Sequence, residues 1–182
     1  MKKSIVKRMT LSALIGALYF AMCAIEGPLA SGFMLNVRLA EGLLVLGLFV
    51  PEVVIGCSVG CFLFNLLLGG IGPWDAVIGT SATILGGVWI ILVGKFFKKD
   101  YFRLPLFGLV AVIANAFLVP VTFLIYGFIE NNPGAYWFTF GVVCGGEALA
   151  IYGVGVPLYL ALKKTMIKFF VDNKDEKIEV AK

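Results

Sequence analysis

The chain has 182 residues, is 60% hydrophobic and carries a formal charge of +4. Its mean hydropathy of +1.00, set against an apolar content of about 45–50% in soluble domains, describes an integral membrane protein with room for one compact bundle. Histidine is absent, which excludes a Ser-His-Asp triad and the paired-histidine metalloprotease helix, and the basic residues cluster beside apolar runs, a topology signal rather than a nucleic-acid footprint.

A helix crossing the bilayer needs about 20 apolar residues. Lys2, Lys3, Lys7 and Arg8 open the chain beside the run Ile5 to Ile25. That start resembles a secretory signal, but no A-x-A site ends it and the run is long enough to span, so it reads as a retained first helix. Within it Ala13, Ala17 and Ala21 recur at every fourth position. Such a stripe permits close helix approach, either inside the same bundle or against a separate membrane subunit. Glu26, Gly27 and Pro28 end the run, and a segment of small residues extends to Asn36.

Val37 to Leu68 is apolar almost throughout but interrupted at Pro51 and Glu52. As one kinked span it would put the basic loop Lys95–Arg103 and the lysine-rich tail (Lys163 to Lys182) outside. As two spans turning at Pro51 and Glu52, it keeps all three basic clusters inside, as the positive-inside rule asks. Two spans is the better reading, although about 16 residues per helix reach only about 24 Å against a core of about 30 Å. The expectation is a locally thin bundle, or a second helix extended back through Asn36.

A turn-forming run, Gly69 to Pro73, follows. The next spans are Trp74–Val93, Leu104–Ile129 with an internal Pro120, and Ala135–Leu162. The predicted architecture is an all-α bundle of six transmembrane helices with both termini cytoplasmic, multi-pass in the cell membrane. Residues 1–171 form the membrane domain and 172–182 a charged cytoplasmic tail. No fixed-period repeat and no matched pair of broken helices, the mark of inverted-repeat carriers, is present.

Cys23, Cys57, Cys61 and Cys144 all lie in apolar runs without a C-x-x-C pair, so they read as small packers, with no metal or cofactor site expected. The nearest approach to a phosphate-binding loop, Gly94 and Lys95, has Trp89 in place of the first glycine and Phe96 in place of the hydroxyl.

In the six-span topology, Asn36 and Arg38 fall at the outer end of the second helix and Glu41 about one turn deeper. Asn65 and Asp75 fall near the outer ends of the third and fourth helices, and Asn115 and Glu147 near the middle of the fifth and sixth. Ionisable groups within a membrane are functional candidates by default. Structural roles stay open beside that reading: Arg38 pairing with Glu41, Asp75 capping the fourth helix, and Asn65 and Asn115 joining helices. Glu147 has no neutralising partner nearby in sequence. The outer side carries one cation, Arg38, against five carboxylates, Glu26, Glu41, Asp75, Glu130 and Glu147, which favours a cationic or donor-rich ligand. Phe33, Trp74, Tyr136 and Trp137 lie near the same level, as interfacial anchors or as stacking surfaces for a flat heterocycle.

The run Asn36 to Glu41 (NVRLAE), Asp75 to Thr83 (DAVIGTSAT), Gly146 and Glu147, Tyr152, and Gly155 to Tyr159 (GVPLY) together resemble the QueT family, from Val6 to about Lys164. The resemblance implies a six-helix substrate-binding (S) component of an energy-coupling factor transporter, an ABC-type importer of queuosine precursors. The implied ligand is a deazaguanine base bound on the outer face. It also implies that Ala13, Ala17 and Ala21 dock to a transmembrane coupling subunit, with two cytoplasmic ATPases supplying energy. On this reading Asn36, Arg38, Glu41, Asn65, Trp74, Asp75, Asn115, Trp137 and Glu147 bind substrate, without a cofactor or nucleic acid. The competing reading is a solitary ion-coupled secondary carrier for a purine-like or cationic heterocycle, with Glu147 as its coupling residue. A membrane enzyme is disfavoured because no recognised catalytic constellation is present.

Overall fold

A computed structural model describes residues 2–31, 37–69 and 71–165, and these are helices joined by turns, with no strand among the described residues. Helix α1 spans Lys2–Glu26 and a single turn, α2, spans Pro28–Ser31. A 3-10 helix covers Leu39–Leu48, followed by α3 (Val53–Leu67), α4 (Pro73–Phe96), α5 (Asp100–Leu106), α6 (Leu109–Ile125) and α7 (Pro133–Ala148). The last helix continues without a break through a π-helical stretch, Leu149–Gly155, and residues 156–165. Four helical stretches are long and apolar enough to cross a membrane: Ile5–Glu26, Pro73–Phe96, Asp100–Ile125 and Pro133–Thr165. The 3-10 helix and α3 are apolar but shorter.

Pro51 and Glu52 divide residues 37–68 into two helices, as a proline with no N–H and a charged neighbour dictate. The expected extension of the second helix through Asn36 is not seen: Val37 and Arg38 are non-helical, the helix starts at Leu39, and Asn36 lies outside the described residues. The short segment gains length by tightening instead. Ten residues rise about 20 Å at the 3-10 spacing of about 2.0 Å, against about 15 Å as an α-helix. Gly42 and Gly47, poor α-formers, lie within it.

This 3-10 helix is the axis of the bundle. Residues Ala40 to Leu48 are all buried, and α1, α3, α4 and the π stretch pack around it. Around that axis α1 packs on α3, α3 on α4, α4 on α6, and α6 on α7. The π stretch has a local cause. Pro157 cannot donate to the carbonyl four residues back, where an α-helix needs the bond. The predicted fifth span, from Leu104, lies within the apolar stretch Asp100–Ile125, which contains one turn. A turn at Phe107 and Gly108 separates α5 from α6, and a Cβ added at Gly108 would come within 2.3 Å of the Ile151 side chain. The internal Pro120, by contrast, leaves α6 unbroken.

Within lipid, helices associate through close packing rather than through water exclusion. The α1–α3 contact is accordingly a backbone contact. A Cβ on Gly16 would come within 2.6 Å of the Gly56 carbonyl oxygen, and one on Gly56 within 2.0 Å of the Ser12 carbonyl oxygen. The N-terminal half of α1 is tied to the start of α3 by Arg8, which donates to Glu52 at 2.8 Å, and by the Ser12 hydroxyl, which donates to the Glu52 carbonyl. Gly56→Ala is expected to lower the midpoint of thermal unfolding in detergent, overpacking costing about 1–3 kcal/mol. Gly141→Ala, where an added Cβ meets nothing within 4 Å, should leave the midpoint unchanged. Equal midpoints would show that this backbone contact does not set the α1–α3 packing.

Candidate functional site

Polar side chains from five elements meet beside the upper end of the 3-10 helix. Arg38 immediately precedes that helix and is 1% exposed. Its Nε donates to the Ala30 carbonyl at 2.7 Å, while the Leu39 N–H donates to Glu26 Oε2 at 3.2 Å. Ala30 of α2 is thereby held against the guanidinium, and the Val37 N–H donates to the Leu29 carbonyl at 2.8 Å. Arg38 Nη2 lies 3.9 Å from Asp75 Oδ2. Asp75 sits in the first turn of α4, after Pro73, where the helix dipole favours a carboxylate. Gly72 supplies the positive φ of 138° that starts this turn, and it offers no side-chain cap.

Glu41, the only charged residue of the 3-10 helix, is held separately. Tyr19 of α1 donates its hydroxyl to Glu41 Oε1 at 2.6 Å, and Thr83 of α4 donates to the same oxygen at 2.9 Å. The Arg38–Glu41 pairing that the sequence left open is not formed: Arg38 pairs with Asp75, and Glu41 Oε1 accepts from two hydroxyls. Cys61 of α3 stands between the two groups. Its sulfur lies 3.8 Å from Arg38 Nη1, 3.6 Å from Asn65 Nδ2 and 3.4 Å from Thr83 Oγ1. Asn65 Nδ2 also donates to the Asp75 carbonyl at 3.3 Å. Glu147 enters from α7, immediately before the π stretch, fully buried and within electrostatic reach of Glu41, Arg38 and Glu26.

The acceptors left over define what this arrangement can do. Glu41 Oε2, Asn65 Oδ1, both Asp75 oxygens and both Glu147 oxygens are buried without a hydrogen-bond partner, as is one donor, Arg38 Nη2. Buried polar groups are ordinarily hydrogen-bonded, so a surplus of acceptors in one place suits a ligand that brings several N–H groups. Nothing here resembles a nucleophile with its activating base. No cluster of metal-ligating side chains occurs among the described residues.

A family model described as QueT transporter matches residues 9–164. The chain belongs to the QueT transporter family. No curated protein and no solved structure matches it. Membership makes this a membrane transport protein for a small molecule rather than an enzyme, in agreement with the absence of a catalytic constellation in the sequence.

Among the residues expected to bind substrate, this QueT transporter brings Arg38, Glu41, Asn65, Asp75 and Glu147 together. Asn115 is buried in α6, donating to the Ala111 carbonyl of its own helix at 3.1 Å with its Oδ1 unpartnered. Trp74 and Trp137 lie elsewhere, 56% and 57% exposed. The Trp74 backbone N–H donates to the Tyr126 hydroxyl at 3.0 Å, and the Trp137 ring packs on Phe117 and Phe140. Tyr19, Cys61 and Thr83 belong to the polar cluster but were not among the candidates. Tyr19 was detectable: a phenol inside a membrane helix needs a partner for its hydroxyl. Ala13, Ala17 and Ala21 are exposed, one position round α1 from the Ser12 and Gly16 face that meets α3. Ala13 and Ala17 border an apolar groove of about 540 Å³ between α1 and α3, and a second groove of about 720 Å³ runs between α3 and α4. Both face outward and neither includes the polar cluster.

Truncating Arg38 strips Asp75 of its counter-charge inside the bundle. Arg38→Ala is expected to cost about 3–5 kcal/mol, read as a lowered unfolding midpoint. The double variant Arg38→Met, Asp75→Leu removes both charges and should recover part of the loss. A double variant no more stable than Arg38→Ala would mean that Asp75 is not the group Arg38 neutralises.

Proposed function

We propose that this QueT-family chain is the substrate-binding component of an energy-coupling factor importer that takes up a queuosine precursor, a deazaguanine base. The buried acceptor surplus around Arg38 carries this reading. A flat base presenting ring N–H, amino and aminomethyl groups supplies the donors that Glu147, Asp75, Glu41 and Asn65 lack, and the family's association with queuosine precursors points to the same chemistry. In this assignment Asp75 and Glu147 take base-edge donors or the ammonium. Arg38 and Glu41 shape the site, Asn115 supports its depth, and Trp74 and Trp137 stand at the outer rim.

The topology that goes with this function has six spans and both termini in the cytoplasm. It places the basic loop Lys95–Arg103 inside and the polar cluster toward the exterior, in keeping with the positive-inside bias. Energy comes from two cytoplasmic ATPases through a transmembrane coupling subunit that docks on Ala13, Ala17 and Ala21. The exposure of that stripe is compatible with a partner helix there.

Binding of aminomethyl-deazaguanine, guanine and thiamine to the purified protein, followed by tryptophan fluorescence or calorimetry, tests the ligand class. The deazaguanine should bind best. Glu147→Gln should weaken it about tenfold, the effect of losing a charge-assisted hydrogen bond, while Glu130→Gln, at an exposed position, should change little. Equal effects would place the ligand away from Glu147. Ala17→Leu is expected to abolish uptake in cells while leaving binding intact, because the larger side chain crowds the docking face. Substrate transport by the chain alone in liposomes would favour the solitary carrier instead.

A further inference from the structure

The connection from α4 through α5 joins exposed aromatic rings to lysines that no ion pair among the described residues balances. Phe96, Phe97, Tyr101 and Phe102 are 70%, 37%, 83% and 50% exposed, and α5 buries none of its residues. The rings form a chain. Tyr101 meets Phe102 edge-on with centroids 5.2 Å apart, and Phe102 lies 6.5 Å from Phe97. Lys95, Lys98 and Lys99 are exposed along the same segment, with the Lys95 ammonium 5.9 Å from the Phe96 centroid.

Asp100, the acid of this run, is already engaged. Tyr159 donates to its Oδ1 at 2.7 Å, and Lys163 pairs with Oδ2. Arg103 turns inward, donating to the Gly94 carbonyl at 3.4 Å and to the Tyr159 hydroxyl at 3.5 Å. No ion pair among the described residues involves Lys95, Lys98 or Lys99. Three positive charges therefore face outward beside four rings with little protein cover. Aromatic rings settle at the headgroup level of a bilayer, and lysines at that level attract anionic lipid.

We propose that Lys95–Phe102 is a binding site for anionic phospholipid headgroups of the cytoplasmic leaflet, with the rings seated at the interface and the three lysines on lipid phosphate. This rests on the cytoplasmic placement of the loop proposed above. Lipid, rather than a soluble anion, fits both halves of the patch, since a free phosphate would leave the apolar rings in water. Because Asp100 ties the segment to Tyr159 and Lys163 of the last helix, a headgroup held here also fixes the depth of that helix.

Native mass spectrometry of the full chain, released from nanodiscs of equimolar phosphatidylglycerol and phosphatidylcholine, tests the proposal by counting retained lipids. The unmodified protein should retain phosphatidylglycerol preferentially. The combined Lys95→Gln, Lys98→Gln, Lys99→Gln variant should lose that preference by about fivefold per lysine, while Lys7→Gln with Lys164→Gln, exposed lysines outside the segment, should keep it. The proposal is overturned if the triple variant retains the preference, whether or not it then fails to assemble with partner subunits. It is likewise overturned if the unmodified protein holds the two lipids equally, or if inorganic phosphate displaces the bound lipid. Topology is read separately. A membrane-impermeant maleimide that labels Lys98→Cys from outside intact cells would overturn the leaflet assignment and the six-span topology together, whatever the mass spectra show.

Discussion

Arg38 puts a guanidinium where only 1% of its surface is reachable, at one end of the 3-10 helix, and the elements around it are arranged to answer that charge. Ionisable groups within a membrane are costly, and removing the partner of a buried charge inside a protein costs about 3–5 kcal/mol. The answer comes from several directions at once. The α2 turn contributes the Ala30 carbonyl, α4 contributes Asp75, and α3 contributes Cys61. Because these partners sit on different elements, the charge can be satisfied only when α3, α4 and the connection after α1 are all in place. Glu41 extends the requirement to α1 through Tyr19. The site is therefore also a folding constraint, and its leftover acceptors mark where folding alone does not complete the hydrogen bonding.

The two irregular helices follow from the same geometry. Glu41 lies on the 3-10 helix and Glu147 immediately before the π stretch, and these two stretches pack on each other. A Cβ at Gly42 would come within 2.9 Å of Val154 and 3.0 Å of the Ala150 carbonyl, and one at Gly155 within 3.2 Å of the Gly42 carbonyl. Small residues on both sides let the backbones meet. Long 3-10 runs are uncommon and π insertions gather at functional sites. Here the close contact of the two backbones brings the residues that flank it, Glu41 and Glu147, into the same region as Arg38.

Much of this was legible in the residues, for identifiable reasons. Proline and charge at Pro51 and Glu52 mark a break because neither suits the middle of a membrane helix, and the chain divides there. Arg38, Glu41, Asn65, Asp75 and Glu147 stood out because polar groups are expensive in lipid, and they share one region. The pairings among them were not legible. Glu41 is three positions from Arg38, yet it bonds to Tyr19 and Thr83, which are 22 and 42 positions away. Sequence proximity suggested a local pair where packing of separate helices decided the outcome. Hydrophobicity also marks Trp74 and Trp137 without saying which way a ring points. Nor does a hydropathy pattern distinguish an α-helix from a 3-10 or π helix, since all three bury the same apolar residues.

Helix α1 shows how one element serves two surfaces. Ser12, Ile15, Gly16, Tyr19 and Cys23 are buried, at the three- and four-residue spacings that hold one face of a helix. That face carries both the close backbone contact with α3 and the hydroxyl that binds Glu41. Ala13, Ala17 and Ala21 follow the same spacing and remain exposed. Two parallel small-residue stripes on one helix are more than packing within this bundle requires, because Ser12 and Gly16 already supply the close approach. An alanine facing lipid offers little van der Waals surface compared with a leucine, so the exposed stripe has its clearest physical use where another helix covers it. Any displacement of α1 would act on the cluster through two contacts, the Tyr19 hydroxyl on Glu41 and the Glu26 carboxylate on the Leu39 N–H beside Arg38.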